Sequence, residues 1–453
     1  MNPPPEVSKQ KSLISGWQSA VGGQRSSLFI LVIYILLTLI LTHPLIFNLT
    51  TAVPNDIGDP LLNTWILAWN SHALLTDPLN LFNANIFYPL PNTLAYSEHL
   101  FSSALLALPL QLISAEPIAA YNISLLITFP LAAFGMYLLA LRWTHQRSAA
   151  FIAGLIFAFA PYRFAAIAHL QLLTFQWLPF IILFVDRLIN TRKNSSYFLL
   201  LTTYFLLLQL LASWYLALYT MLILGLYLLA ALLTRRLNRP TYLQISFLFL
   251  ISFFFILPFV WPYLPLLDDL RTARPLSLAL SLAAVPTDFA AAAPFNRFFG
   301  PLTEPLRSRP GFTEENTLFV GFVAPLLALL TILASGFRLA SSVYPSTYYA
   351  LRTTHYALRS TLYTLLAILL LSLILTFPNP YATLAHLIPP STIIRVPPRW
   401  IIPALFALAG LAAFGYAIFR FQVSRFTSNV IFLLICLLLL VETFSTPLPL
   451  APV

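Results

Sequence analysis

The chain has 453 residues, 59% of them hydrophobic and only 8% charged, with a net charge of +10. Its apolar runs are long enough to cross about 30 Å of hydrocarbon, so it is read as an integral membrane protein. The basic residues are scattered between those runs, which points to topology rather than nucleic acid, and the single cysteine, Cys436, lies inside an apolar run, which excludes a disulfide framework or a thiolate metal site.

The stretch 1–27 is polar and contains several prolines; it does not have the form of a cleavable leader. Lys9, Lys11 and Arg25 precede the first apolar run, 28–47, and place the N-terminal tail on the cytoplasmic side. The first outer loop, 48–118, opens with Asn55-Asp56-Ile57-Gly58-Asp59-Pro60. Pro60 suits the first position of a helix and Asp59 its N-cap. Trp65 and Trp69 fall one turn apart, so this helix is expected in the interface with its tryptophans at headgroup level. Asn63, Thr64, Asn70 and Ser71 share its polar side. Further on come Tyr96-Ser97-Glu98-His99 and the apolar but short segment 101–114, which contains Pro109 and reads as interfacial or re-entrant.

Spans are then expected at 119–141, 148–160, 172–189, 197–212, 214–233, 242–261, 317–337, 361–377, 400–419 and 429–444, about eleven in all with the first. Two more long outer loops follow, 262–316 and 378–399, and a short outer tail, 446–453. The expected fold is an all-α polytopic bundle whose transmembrane domain covers 28–445. Every inner connection carries Lys or Arg, as the positive-inside rule requires. Of the acidic residues, which have no part in that rule, only Glu6 and Asp186 fall inside. Counting 101–114 as a span would invert everything downstream and put Arg192, Lys193, Arg235, Arg236 and Arg239 outside.

No Gly-rich phosphate cradle and no acidic pair stands on the inner side. The polar groups gather outside, which favours outward-facing chemistry over use of a cytoplasmic nucleotide. Asp59 reads equally well as a helix cap and as a base, and Asp56 as a turn residue or its partner. Arg163 ends an outward span; it either snorkels to headgroups or serves a site. His169 lies in the short connection after it. Glu98–His99 is a solvated loop pair or a proton relay, Glu315 a helix cap or a ligand group, and Arg395 and Arg399 are interfacial anchors or a phosphate grip. Asp268 and Asp269 read as a solvated span terminus. No cluster has convincing metal-ligand spacing.

An Asp in the first outer loop, directly after the first span and followed by an interfacial helix, resembles the GT-C class of integral membrane glycosyltransferases. That class includes the protein O-mannosyltransferases and the RgtA/B/C/D-like bacterial members. The run Arg142-Trp143-Thr144-His145-Gln146-Arg147 through Phe159-Ala160-Pro161 is similar to their turn between the second and third spans. The stretches Tyr96-Ser97-Glu98-His99, Pro161-Tyr162-Arg163, Glu315-Asn316-Thr317 and Arg395-Val396-Pro397-Pro398-Arg399 also resemble YfhO-like bacterial membrane proteins. The resemblance implies transfer of a sugar from a polyprenyl-phosphate carrier to a glycan, lipid or protein acceptor at the outer face of the plasma membrane. Asp59 would be the catalytic carboxylate with Asp56 beside it. Arg163, His169, Glu98, His99, Glu315, Arg395 and Arg399 would bind substrate and lipid phosphate. No cofactor is required by it, and a divalent metal is compatible with it. The Trp-Trp-Asp motif of oligosaccharyltransferases is missing, which disfavours protein N-glycosylation. Two other classes fit the composition: a flippase for a lipid-linked saccharide, disfavoured by the scarcity of ionisable groups at mid-depth, and a non-catalytic assembly protein, which would tolerate loss of both Asp56 and Asp59.

Overall fold

The structure, a computed structural model, describes residues 24–190, 195–267, 275–336, 354–387, 394–420 and 422–453. The principal helices are α1 (Gln24–Leu41), α2 (Asp59–Thr76), α3 (Phe101–Ser114), α4 (Pro117–Thr144), α5 (Arg147–Phe159), α6 (Leu178–Asn190) and α7 (Ser195–Leu210). They continue with α8 (Trp214–Leu233), α9 (Arg239–Val260), α10 (Val323–Gly336), α11 (Thr354–Leu375), α12 (Pro378–Leu387), α13 (Ile401–Arg420) and α14 (Arg425–Thr443). Among the described residues, seven helices are long and apolar enough to cross a membrane, or eight if the pair around α11 and α12, bent by 101°, counts as one span. The chain is thus an all-α polytopic bundle. The segment 101–114 is a helix of 14 residues around Pro109, short for a crossing. Residues 317–322, expected inside a span, are not helical; α10 starts only at Val323, after Gly321 has turned the chain at φ +87°.

Small residues set the centre. Helix α13 is buried from Ile401 to Ala417. A Cβ on Gly415 would come within 1.9 Å of the Leu327 carbonyl of α10, and one on Gly410 within 2.8 Å of Leu365 of α11. Backbone-close packing of this kind is what drives helix association where lipid is as apolar as leucine. Gly154 plays the same part in α5, where a Cβ would meet the Tyr34 hydroxyl of α1 at 2.2 Å. By contrast α9 buries only 17% of its span and leaves Leu243, Phe247, Leu250 and Phe254 exposed, a surface suited to lipid and not to water.

Two tethers escaped the sequence reading. Ala52–Pro54 (β1) pairs antiparallel with Leu450–Pro452 (β2), so the segment after α1 is stitched to the segment after α14. The Val453 N–H donates to the Thr51 carbonyl at 3.0 Å and the Asn55 N–H to the Pro449 carbonyl at 2.9 Å. Pro54 and Pro452 lie between these bonded positions, where an alternating ladder asks no donor of them. From α4, Asn122 donates to the carbonyls of Leu49 at 2.9 Å and Ala52 at 2.8 Å. The second tether folds part of the long connection 262–316. Asp288 is fully buried and accepts from Arg309 Nη2 at 2.9 and 2.8 Å through its two oxygens and from Arg309 Nε at 3.1 Å, together with Asn316 Nδ2 and the Val285 N–H, each at 3.0 Å. Asp268 and Asp269 lie outside the described residues.

Candidate functional site

Four segments distant in sequence meet beside the stitched loop. Asp59 is the first residue of α2, with Pro60 next; the N-cap position belongs to Gly58, so the expected cap role moves one residue back. The Asp59 carboxylate lies at the positive end of the helix without capping it by a side-chain hydrogen bond. Its Oδ2 accepts from Gln171 Nε2 at 2.9 Å, and Gln171 Oε1 in turn accepts from Asn63 Nδ2 at 2.9 Å, one turn further along α2. His169 Nε2 stands 3.5 Å from Asp59 Oδ2 and 3.9 Å from Glu315 Oε1, bridging the two carboxylates. Glu315 is paired bidentately with Arg399, which also lies over the Tyr215 ring at 5.0 Å. Burial opposes ionisation of Glu315, but the Arg399 guanidinium, helped by His169 and Arg395, outweighs it and holds the carboxyl below its ordinary range.

The two carboxylates differ in what they can do. Glu315 is neutralised by Arg399, whose side chain is 4% exposed. Asp59 has no guanidinium partner among the described residues, and its side chain is 39% exposed, so a substrate can reach it. Asp56 is exposed and spent on its own turn: its Oδ1 accepts from the Gly58 N–H at 2.8 Å and its Oδ2 from Asn55 Nδ2 at 2.9 Å. Arg395 is exposed and adds positive charge near Glu315.

Other expected members lie elsewhere. Arg163 does not reach this cluster through any hydrogen bond or ion pair among the described residues. It is fully buried between the rings of Phe129 and Phe175, at 4.3 and 4.5 Å, and donates to Thr128 Oγ1 at 3.0 Å and the Leu173 carbonyl at 3.2 Å. Protein surrounds it, so snorkelling to headgroups is also overturned. Glu98 accepts from the Trp214 N–H at 2.7 Å, at the start of α8. His99 is no solvated loop residue: it is fully buried against Phe82, Trp214 and Phe259, and its Nδ1 accepts from the Phe101 N–H at 3.2 Å. Burial pushes its pKa down to about 3, so it stays neutral and is unsuited to a proton relay at neutral pH.

The polar side of α2 faces the protein, with Asn63, Thr64, Asn70 and Ser71 buried. The Trp65 and Trp69 indole N–H groups are taken by Asn85 Oδ1 and the Leu81 carbonyl, at 3.1 and 2.8 Å, rather than left for headgroups. Gln171 and Tyr215 carried no role in the sequence; the only signal for Gln171 was its place two residues after His169 in a short connection. Among the described residues no group of three or more His, Cys, Asp or Glu is arranged to hold a metal ion. No family model and no curated protein matches the chain.

Proposed function

We propose that the chain is a GT-C-like membrane glycosyltransferase, moving a sugar from a polyprenyl-phosphate carrier to an acceptor hydroxyl at the extracytoplasmic face of the plasma membrane. The observation that carries this reading is Asp59, an accessible carboxylate fixed on the first turn of α2 by Gln171 and set against His169. A base must be held in place for the proton it takes, and Gln171 holds Asp59. In the transfer the acceptor oxygen forms a bond to the anomeric carbon as the bond from that carbon to the phosphate oxygen breaks. The carrier phosphate leaves with the electron pair, Asp59 takes the hydroxyl proton, and the anomeric centre inverts. Arg395, exposed beside Glu315, is the cation free to meet the leaving phosphate, while Arg399 keeps Glu315 ionised in place. Buried Arg163 takes no part in this step.

About eleven spans with a cytoplasmic N-terminus accompany the reading. Pairing of β1 with β2 supports that count by parity, because both strands must lie on one side of the membrane. An even number of crossings must then separate them. Ten follow the first span when 101–114 does not cross, and counting that segment would make the number odd.

Asp59→Asn tests the assignment. The amide keeps an acceptor for Gln171 and the shape of the first turn. Transfer from a polyprenyl-phosphate sugar should fall by about 10²- to 10⁴-fold, with the unfolding midpoint nearly unchanged. Full transfer by the Asn variant would remove Asp59 from the chemistry.

A further inference from the structure

Between α2 and α3 the chain runs from residue 78 to residue 97 without an acidic, basic or histidine side chain. Within that stretch, 82–94 closes on itself. The Leu94 N–H donates to the Phe82 carbonyl at 3.1 Å, the Asn92 N–H to Asn83 Oδ1 at 2.9 Å and Thr93 Oγ1 to the Ala84 carbonyl at 2.9 Å. The result is a compact loop with joined ends. Its tip, Phe87-Tyr88-Pro89-Leu90-Pro91, is exposed at every position, Tyr88 to 96%. The tip is also held in shape. The Leu90 N–H donates to the Phe87 carbonyl at 2.9 Å, and the Phe87 ring meets the Tyr96 ring edge-on at 6.0 Å. Phe87 itself sits in the left-handed region at φ +57°, which a phenylalanine adopts only where its surroundings impose it.

The base of the loop is clamped to the C-terminal end of α9. Phe82 stands 6.2 Å from Phe259 and 5.8 Å from Tyr263, and Tyr263 Oη donates to the Ser97 carbonyl at 2.8 Å. Helix α9 is the one whose surface is suited to lipid, and its apolar run continues into Trp261, which is 67% exposed. A bare tryptophan at the end of a lipid-facing span marks the boundary between acyl chains and headgroups. The clamp at Tyr263, two residues on, therefore lies close to that boundary. The chemistry of the tip suits the same place. Pro89 and Pro91 have no N–H, and the N–H of Leu90 is taken, so the tip brings few free backbone donors into an apolar phase. Left in water, it is an unpartnered apolar patch.

We propose that the tip Phe87–Pro91 enters the lipid leaflet beside α9 as a fixed wedge at the boundary of headgroups and acyl chains. Phe87, Tyr88 and Leu90 are the inserted side chains. The wedge is independent of the transferase reading, since it involves neither Asp59 nor the sugar. It does bear on where α2 sits. Trp65 Nε1 donates to Asn85 Oδ1 and Trp69 Nε1 to the Leu81 carbonyl, so the segment that carries the tip also holds α2, and insertion fixes the height of that helix over the leaflet.

Tyr88→Cys and Leu90→Cys, each in the full chain with Cys436→Ser, are labelled with bimane and reconstituted into phosphatidylcholine nanodiscs. Glu304→Cys, at an exposed charged position outside the loop, serves as the water-facing reference. Both tip side chains are exposed, and either position carries the test should the other variant fail to fold. Fluorescence is read with bromine on the lipid acyl chains and, separately, with iodide in the water. The tip labels should lose fluorescence to the brominated lipid and be shielded from iodide, and the Glu304 label should do the reverse. No loss to brominated lipid at either tip position would overturn the wedge. Iodide quenching as strong as at Glu304 would then put the tip in water, and shielding from iodide would put it against protein.

Discussion

Removing Arg309 should destabilise the protein far more than loss of a surface arginine does, because Asp288 beneath it is fully buried. Breaking a buried pair by deleting one partner costs about 3–5 kcal/mol. Arg309 itself is 24% exposed, so water can partly replace it, and Asp288 keeps Asn316 and the Val285 N–H. Arg309→Met is therefore placed at about 3 kcal/mol, the low end of that range. Asp288→Asn, which turns an amide N–H₂ toward Arg309 while the arginine swings to water, should cost about 2 kcal/mol. The double variant should recover about 2 kcal/mol of the summed loss, since no charge is then stranded. Reversible unfolding in mixed micelles of the wild type, both singles and the double gives the cycle directly. Strict additivity, or a loss below about 1 kcal/mol for Arg309→Met, would refute the view that this pair organises the connection before α10. The outcome bears on the site, because Asn316, held by Asp288, is the neighbour of Glu315.

Three further outcomes follow from the same geometry. His99 is neutral in the folded chain down to about 3, whereas an unfolded histidine protonates near its ordinary 6.5; the unfolded state thus binds the extra proton, and stability should fall as the pH drops through that window. His99→Asn, which keeps an acceptor for the Phe101 N–H, should flatten this part of the stability profile, and an unchanged acid limb would refute the burial argument. Ala52→Cys with Pro452→Cys, in a Cys436→Ser background, should cross-link under a membrane-impermeant oxidant in intact cells; no cross-link while Ser281→Cys is labelled from outside would deny the strand pair. Arg163→Met should hold or raise the unfolding midpoint, since the guanidinium leaves Nε and Nη1 without partners, and a loss above about 3 kcal/mol would show that its two hydrogen bonds and two ring contacts outweigh its desolvation.

The helices were legible because lipid imposes length and apolarity on any crossing segment, and each expected run is helical over most of its described part. The strand pair was not legible: three residues containing a proline carry no alternation to read. Nor was the partnership of Asp59 with Gln171, more than a hundred residues away, since nothing local to either residue encodes the other. Arg163 shows a different limit. It lies near the end of the apolar stretch Arg147–Ala165, but whether such a side chain turns to lipid, cavity or core depends on Phe129 and Phe175 arriving from neighbouring segments. On α2 the amphipathic pattern was visible and its direction was not, because beside a membrane-embedded bundle the polar face can find its partners inside the protein.

The strand pair also has a consequence for how the protein is made. The segment carrying Asp59 is synthesised long before β2, which braces it and follows α14. Until β2 is made that segment lacks its strand partner, and Asn122 and Gln171 hold it without that brace. Closure of the loop before Asp59 is thereby made conditional on arrival of β2, and a polypeptide stalled before α14 would display its helices without that brace.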